Sequence, residues 1–444
     1  MNALRELPQI DKILKDPEFT GKISIFVAKF ARDELEFQRA QILSNKPCAK
    51  FEEIVKNIKS RYDKFERESL QSVINATGVL VHTNLGRSVI DEEILLRAKD
   101  IITGYSNLEY SLETGARSNR YDYIGSLLAE LFGFEDAIVV NNNASAVFLV
   151  LNTFAKGGEA VISRGELVEI GGSFRVPEVM LNAGVSLREV GTTNKTNLKD
   201  YESAIDQNTK MILKVHRSNF DIVGFSSEVC MKELSNLAKE RGVIDYYDLG
   251  SGYVSQLPYN LGKDEPSVKE FSEVSLVSFS GDKLFGSVQC GIILGKRELI
   301  AKLRQNQLLR MLRVDKVIIA LLTQSVNAYI NREFELITTI NGLHKSVKDL
   351  ENLAQRINLN IKTPLEIVQT TTFVGGGTMP NKKIPSIALK VRGNANLNEE
   401  KFRAKNIIGR IENKAFLLDL RSVLAKDEAK FTALIDEILG ECDE

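Results

Sequence analysis

Residues Val274–Gly286 read V-S-L-V-S-F-S-G-D-K-L-F-G, and the rest of the chain is read outward from them. Branched and aromatic residues up to Phe279 predict a buried strand. Ser280-Gly281-Asp282-Lys283 then forms a polar turn closed by Gly286. A lysine just past a buried strand is either an ordinary solvated loop lysine or one held in a partly dry pocket. In the second case its ammonium is disfavoured, its pKa falls, and the free amine becomes a nucleophile able to form a Schiff base. The hydroxyl of Ser280 would reach a phosphate beside that amine.

On both sides of this run, short apolar segments alternate with amphipathic ones. Strands are predicted at Ala137–Val140, Ala160–Ile162, Val185–Val190, Met211–Val215, Val243–Tyr247, Val274–Phe279 and Gly291–Leu294. Helices are predicted at Tyr123–Phe132, Ala144–Ala155 and Glu228–Arg241, with a long helical stretch from Lys296 to about Arg332. This alternation implies an α/β domain whose mostly parallel sheet is covered on both faces, with ligands at the strand ends. Beyond it, strand-like pieces at Ile367–Val374, Ile387–Val391 and Phe416–Leu418 mix with a helix near Glu399–Ile411 and a last helix from Asp427. That mixture predicts a smaller α+β domain. The expected division is 1–69, 70–320 and 321–444.

Residues 1–69 differ in texture. Ile23, Phe26, Phe30 and Phe37 lie near helical spacing, and Phe51, Ile54, Val55, Ile58, Tyr62 and Phe65 follow it closely. Asn45-Lys46-Pro47 separates the two helices. Their polar faces carry Lys22, Lys29, Arg32, Arg39, Lys50, Lys56, Lys59 and Arg61, which are either solvated or an RNA contact. The formal net charge of the 444-residue chain is −1, so only a local basic surface could attract nucleic acid. Cys48, Cys230, Cys290 and Cys442 form no C-x-x-C pair, which suggests neither a disulfide framework nor a metal site and fits a reducing cytosol. With no signal-peptide pattern and no apolar run approaching ~18 residues, a cytoplasmic protein without a membrane partner is expected.

Four features fall on strand ends of the central domain. Asn141-Asn142-Asn143-Ala144-Ser145-Ala146 opens a helix, either as an anion cradle of backbone N–H groups or as a plain asparagine cap. Asp248, in Y-Y-D-L-G-S-G, is a carboxylate at a buried strand end that needs a cationic partner, whether a protonated pyridine nitrogen or an arginine. His216 follows the Met211 strand. Lys283 with Ser280 completes the set. Together a helix start, a strand-end Asp and a Ser-x-x-Lys make a pyridoxal 5'-phosphate site, with phosphate cradle, pyridinium partner and Schiff-base lysine. The glycine signatures of dinucleotide and P-loop sites are missing.

Longer motifs carry a resemblance. His82-Thr83-Asn84-Leu85-Gly86-Arg87, Arg164–Arg175 (R-G-E-L-V-E-I-G-G-S-F-R), Val190-Gly191-Thr192-Thr193-Asn194-Lys195 and Ser278–Lys283 resemble the bacterial selenocysteine synthases, the L-seryl-tRNA(Sec) selenium transferases. The resemblance runs from the helical N-terminal block to the C-terminal end. It implies the PLP-dependent transferase fold type I (aspartate-aminotransferase-like). It also implies conversion of L-seryl-tRNA(Sec) to L-selenocysteinyl-tRNA(Sec): β-elimination of the serine hydroxyl to an aminoacrylyl intermediate, then addition of selenium from selenophosphate. By the same resemblance Lys283 carries the cofactor, assisted by Asp282. Arg87, Arg310 and Arg313 form an anion pocket for selenophosphate, and the N-terminal domain grips the tRNA. The assembly implied is a decamer of five dimers. Two other readings compete. One is a related enzyme acting on a free amino acid or sugar acid, which would not need the helical block before Ser69. The other is an RNA-binding or scaffold protein without catalysis, which would not need Lys283, Ser280 and Asp248.

Overall fold

The computed structural model describes the chain except residues 1–3, 5, 6, 171–173, 219, 221, 223, 264, 380 and 441–444. Residues 171–173 of the Arg164–Arg175 motif and Cys442 therefore lie outside the described residues. The chain divides into two compact units, Met1–Val73 and Ile74–Glu444.

The first unit packs helix α1 (Ser24–Leu43) against α2 (Phe51–Arg67). Its buried stripe on α1 is Val27, Ala31 and Leu35, facing Ile54, Val55, Ile58 and Tyr62 of α2. The aromatic spacing read from the sequence therefore missed the α1 core. Ile23 and Phe37 are more than half exposed, whereas Phe26 and Phe30 lie beside Phe65 at the edge. Small residues on α1 let the helices approach, and the larger rings fit only at the rim. Lys22, Lys59 and Arg61 pair with carboxylates of the same unit. Lys29, Arg32, Arg39, Lys50 and Lys56 are exposed.

The second unit is built on a seven-stranded sheet: β1 (Asp136–Val140), β2 (Glu159–Ser163), β3 (Ser186–Val190), β4 (Thr209–Val215), β5 (Ile244–Ser251), β6 (Leu276–Ser280) and β7 (Gly291–Gly295). The spatial order is β1-β7-β6-β5-β4-β2-β3. Every pairing is parallel except the two made by β7, which runs antiparallel to both β1 and β6. The central strands are buried along nearly their whole length, as a sheet covered on two faces requires. Helix α3 (Asn143–Phe154) starts directly after β1.

Two expected helices are shorter than the sequence suggests. The stretch from Lys296 breaks into Arg297–Gln305, Leu309–Leu312 and Lys316–Ile330. Asn306 accepts the Leu308 N–H with its own side chain, and Asp315 caps the third piece through the N–H groups of Val317 and Ile318. Such local side-chain bonds compete with the helix ladder. The helix near Glu399 ends at Ala404. Asn406 sits at φ +60°, and Ile407 leaves to pair with Ile74. A second sheet, β8 (Glu366–Thr372), β9 (Ile384–Val391), β10 (Arg410–Glu412) and β11 (Ala415–Asp419), has the order β8-β9-β11-β10 and is antiparallel throughout. It packs with helices Val347–Leu359 and Glu428–Gly440 around a core separate from that of the large sheet.

Candidate active site

The parallel strands β4, β5 and β6 end side by side, and each delivers one chemical group. His216 is the residue after β4, Asp248 lies near the end of β5, and Lys283 follows β6. The β5/β6 register breaks between Asp248 and Gly250, and Gly250 takes φ +66°. That bulge turns the Gly250 N–H back onto Asp248 Oδ1 at 3.1 Å, which a residue with a Cβ would resist. Gly286, at φ +74°, closes the turn after Lys283, and its N–H donates to the Lys283 carbonyl at 2.9 Å.

Asp248 is buried (3% exposed). Asn143 Nδ2, from the first turn of α3, donates to the same Oδ1 at 2.7 Å. Neither of these bonds occupies Oδ2. Burial raises the Asp248 pKa above the usual carboxylate range, and the Asn143 and Gly250 bonds, Lys283 and His216 oppose that rise. Lys283 behaves in the mirror sense: burial lowers its pKa, Asp248 resists, and Arg87 adds to the lowering. A lysine in this position gives up its proton more readily than an ordinary lysine, which leaves more of the free, reactive amine. A Cβ placed on Gly377 would lie 3.7 Å from Lys283 Nζ, so this glycine lies against the amine.

Asp282 is held from the other side. Arg87 Nη1 pairs with its Oδ2 at 2.7 Å, and the Ser88 N–H donates to its carbonyl at 3.2 Å. Arg87 sits at φ +65° after Gly86 at φ +91°. Two consecutive left-handed residues aim this side chain, the second of them strained for a residue with a Cβ. Ser280 is buried as the last residue of β6, opposite Gly291 and Ser251. At the start of α3, Asn142 is the cap, accepting the Ser145 N–H at 2.8 Å. The Ser145 N–H is thus already engaged, while Asn143 and Ala144 lie in the first turn, where N–H groups lack helical partners.

Four buried polar atoms around this centre have no partner: Asn143 Oδ1, Ser218 Oγ, Glu265 Oε1 and Asp282 Oδ1. Each costs on the order of 1–3 kcal/mol if left dry. Their concentration at one place marks a site made for a polar ligand. The donor set fits pyridoxal phosphate, with a dry lysine, a buried carboxylate and a helix start.

Arg310 and Arg313 lie apart from Arg87, together with Arg117, Arg120 and Arg304 in a cavity of about 390 Å³. Its one carboxylate, Glu109, pairs with Arg120, with Arg117 at 3.2 Å and with Arg313 at 3.7 Å. These pairs hold the Glu109 carboxyl below the usual range, the Arg120 bond contributing most. The backbone ties this cavity to the centre: Arg313 bridges to Val140, and the Asn141 N–H donates to the Leu312 carbonyl at 2.9 Å. Arg304 belongs with Arg310, Arg313 and Lys316 to a basic cluster legible in the sequence, whereas sequence reading missed Arg117, Arg120 and Glu109 because their spacing has no period. It also missed Glu265 and the buried Glu166–Lys214 pair at 2.9 Å, in which Glu166 also accepts the Val215 N–H beside His216. The R-G-E-L motif was the available signal for Glu166.

The family model described as L-seryl-tRNA selenium transferase matches residues 73–424. The chain belongs to the L-seryl-tRNA selenium transferase family. The L-seryl-tRNA(Sec) selenium transferase of Campylobacter concisus is 66% identical, over 98% of this chain and 99% of that protein. That of Campylobacter fetus subsp. fetus is 54% identical, over 99% of each. Among solved structures, D-glucosaminate-6-phosphate ammonia-lyase superposes with a TM-score of 0.61 at 19% identity, covering 86% of this chain and 99% of that one. This selenium transferase family member therefore has the expected α/β fold type I architecture. Among the described residues no helix is long and apolar enough to cross a membrane, and no His, Cys, Asp and Glu cluster could hold a metal ion.

Proposed function

We propose that this chain converts L-seryl-tRNA(Sec) to L-selenocysteinyl-tRNA(Sec), with pyridoxal 5'-phosphate as cofactor and selenophosphate as selenium donor. The observation that carries the reading is a half-buried lysine beside Asp248 at the strand ends of a selenium transferase family chain. When bound, the cofactor supplies an electron sink for the carbanion formed at the serine Cα. Lys283, Asp248, His216, Ser280 and the α3 start at Asn143, Ala144 and Ser145 hold it. Asp248 keeps a positive charge opposite its carboxylate. The Lys283 amine, short of water and of protons, takes the Cα proton and can return it. Asp282, tied to Arg87, sets the charge next to that amine. At the β-carbon the C–O bond breaks and the hydroxyl leaves as water; a C–Se bond then forms there, while water cleaves the P–Se bond of selenophosphate and phosphate is released. Arg310 and Arg313 present planar forks suited to an oxyanion; Arg87 exchanges Asp282 for the same anion. Dryness around Lys283 protects the reacting serine from hydrolysis.

The tRNA is gripped by the helical domain 1–69, where five exposed cations offer phosphate contacts. The remaining two domains, 70–320 and 321–444, close the site. The enzyme works in the cytoplasm as a decamer of five dimers. The deciding experiment supplies serylated tRNA and selenophosphate to the purified protein and follows selenocysteinyl-tRNA. Product from the wild type and none from Lys283→Ala is expected; product from Lys283→Ala would defeat the reading.

A further inference from the structure

Glu265 is a carboxylate that no motif pointed to. It is 3% exposed, and a carboxylate that dry needs a partner. Oε2 lies 3.1 Å from His216 Nε2, while Oε1 is buried without one. Both main chains are fixed. The Tyr253 hydroxyl donates to the Glu265 carbonyl at 2.9 Å. The His216 N–H donates to the Asp248 carbonyl at 2.8 Å, and the His216 carbonyl accepts the Ser218 N–H at 2.9 Å. The pair lies among the cofactor-holding groups: His216 acts on the charge of Asp248, and Glu265 on that of Lys283.

A neutral imidazole has two tautomers, and the hydrogen bond made by one nitrogen decides the state of the other. A carboxylate only accepts. We propose that Glu265 is a positioning residue: it accepts the Nε2–H of His216 and so locks the imidazole in one tautomer and one orientation within the cofactor site. The inference rests on the reading of that site as a pyridoxal phosphate site. Outer partners of this kind act through the ring they hold, as carboxylates do behind metal-bound histidines.

The chain has only three histidines, so ring nitrogens can be resolved in cofactor-free protein labelled with 15N-histidine, with His216→Asn used for assignment. At mildly alkaline pH, His216 should show protonated Nε2 and bare Nδ1, and Glu265→Gln, which keeps an acceptor oxygen, should retain the pattern. Glu265→Leu, of similar bulk, should give averaged nitrogens and weaken pyridoxal phosphate binding by ~10–100-fold. In the His216→Asn background the same change should cost nothing further. An Nδ1–H or averaged ring in the wild type overturns the proposal and needs no variant. So does an equal loss of affinity in both backgrounds. A wild type that binds no pyridoxal phosphate defeats the cofactor reading itself, whatever the tautomer.

Discussion

The Lys283 centre and the arginine cavity manage charge in opposite ways. Around Lys283 the groups are few and dry, and burial is the largest influence on both Asp248 and Lys283. In the cavity, Arg117 and Arg313 keep side-chain exposures of 80% and 36%, and one carboxylate is shared among several guanidinium groups. A dry centre tunes proton affinity, because a charge without solvent is costly. A wet, multivalent cavity gathers an anion without committing any one arginine to it. The two regions are joined through backbone at Val140–Arg313 and Asn141–Leu312.

The contrast can be broken most severely at Asp248. Asp248→Ala leaves the Asn143 amide and a bound cation without their carboxylate. A loss of about 3–5 kcal/mol in cofactor binding is expected, read as loss of cofactor absorbance; an unchanged titration would remove Asp248 from the centre. Next in size, Arg313→Ala should leave that absorbance intact while raising the donor KM by ~10–100-fold, the equivalent of about 1.5–3 kcal/mol for a charge-assisted bond. Loss of absorbance instead would mean that Arg313 holds the cofactor. Salt should separate the regions further. Donor KM should rise several-fold between low and physiological ionic strength, because exposed charges are screened, while cofactor affinity should change far less.

The smallest effect is on stability against pH. The folded-state pKa of Lys283 lies below its ordinary 10.5. Between those values the unfolded chain binds more protons, so cofactor-free protein gains stability as pH rises through that window. Asp248 acts at the acid end with the opposite slope: its folded pKa is raised above 3.8, so stability falls as pH rises from there. Lys283→Met should shrink the alkaline gain in a melting profile, leaving the part due to Lys345, whose pKa burial also lowers. If the gain persists unchanged, the lysine is not the buried charge.

Much of this is legible in the sequence. Lys283, Asp248 and the α3 start follow from a strand pattern emptying into a polar residue, because burying a strand leaves its end as the first place where a polar group can meet a ligand. The seven strands were visible for the same reason. The Lys296–Arg332 stretch misled because helical propensity is local, while Asn306 and Asp315 end it with bonds that compete with propensity. On α1 the aromatic spacing misled because packing distance, rather than hydrophobicity, selected Val27, Ala31 and Leu35.

By itself, then, the sequence determined the chemistry-bearing residue types and the order in which the strands present them. Only the tertiary structure decided which groups share a volume. Glu265 reaches His216 across 49 positions, and Arg87 reaches Asp282 across 195. Glu109 gathers arginines from separate segments, and Arg87 lies outside the cavity of Arg310 and Arg313. The physical reason is that desolvation and Coulomb interaction depend on distance in space and on exclusion of water, and neither has a period along the chain.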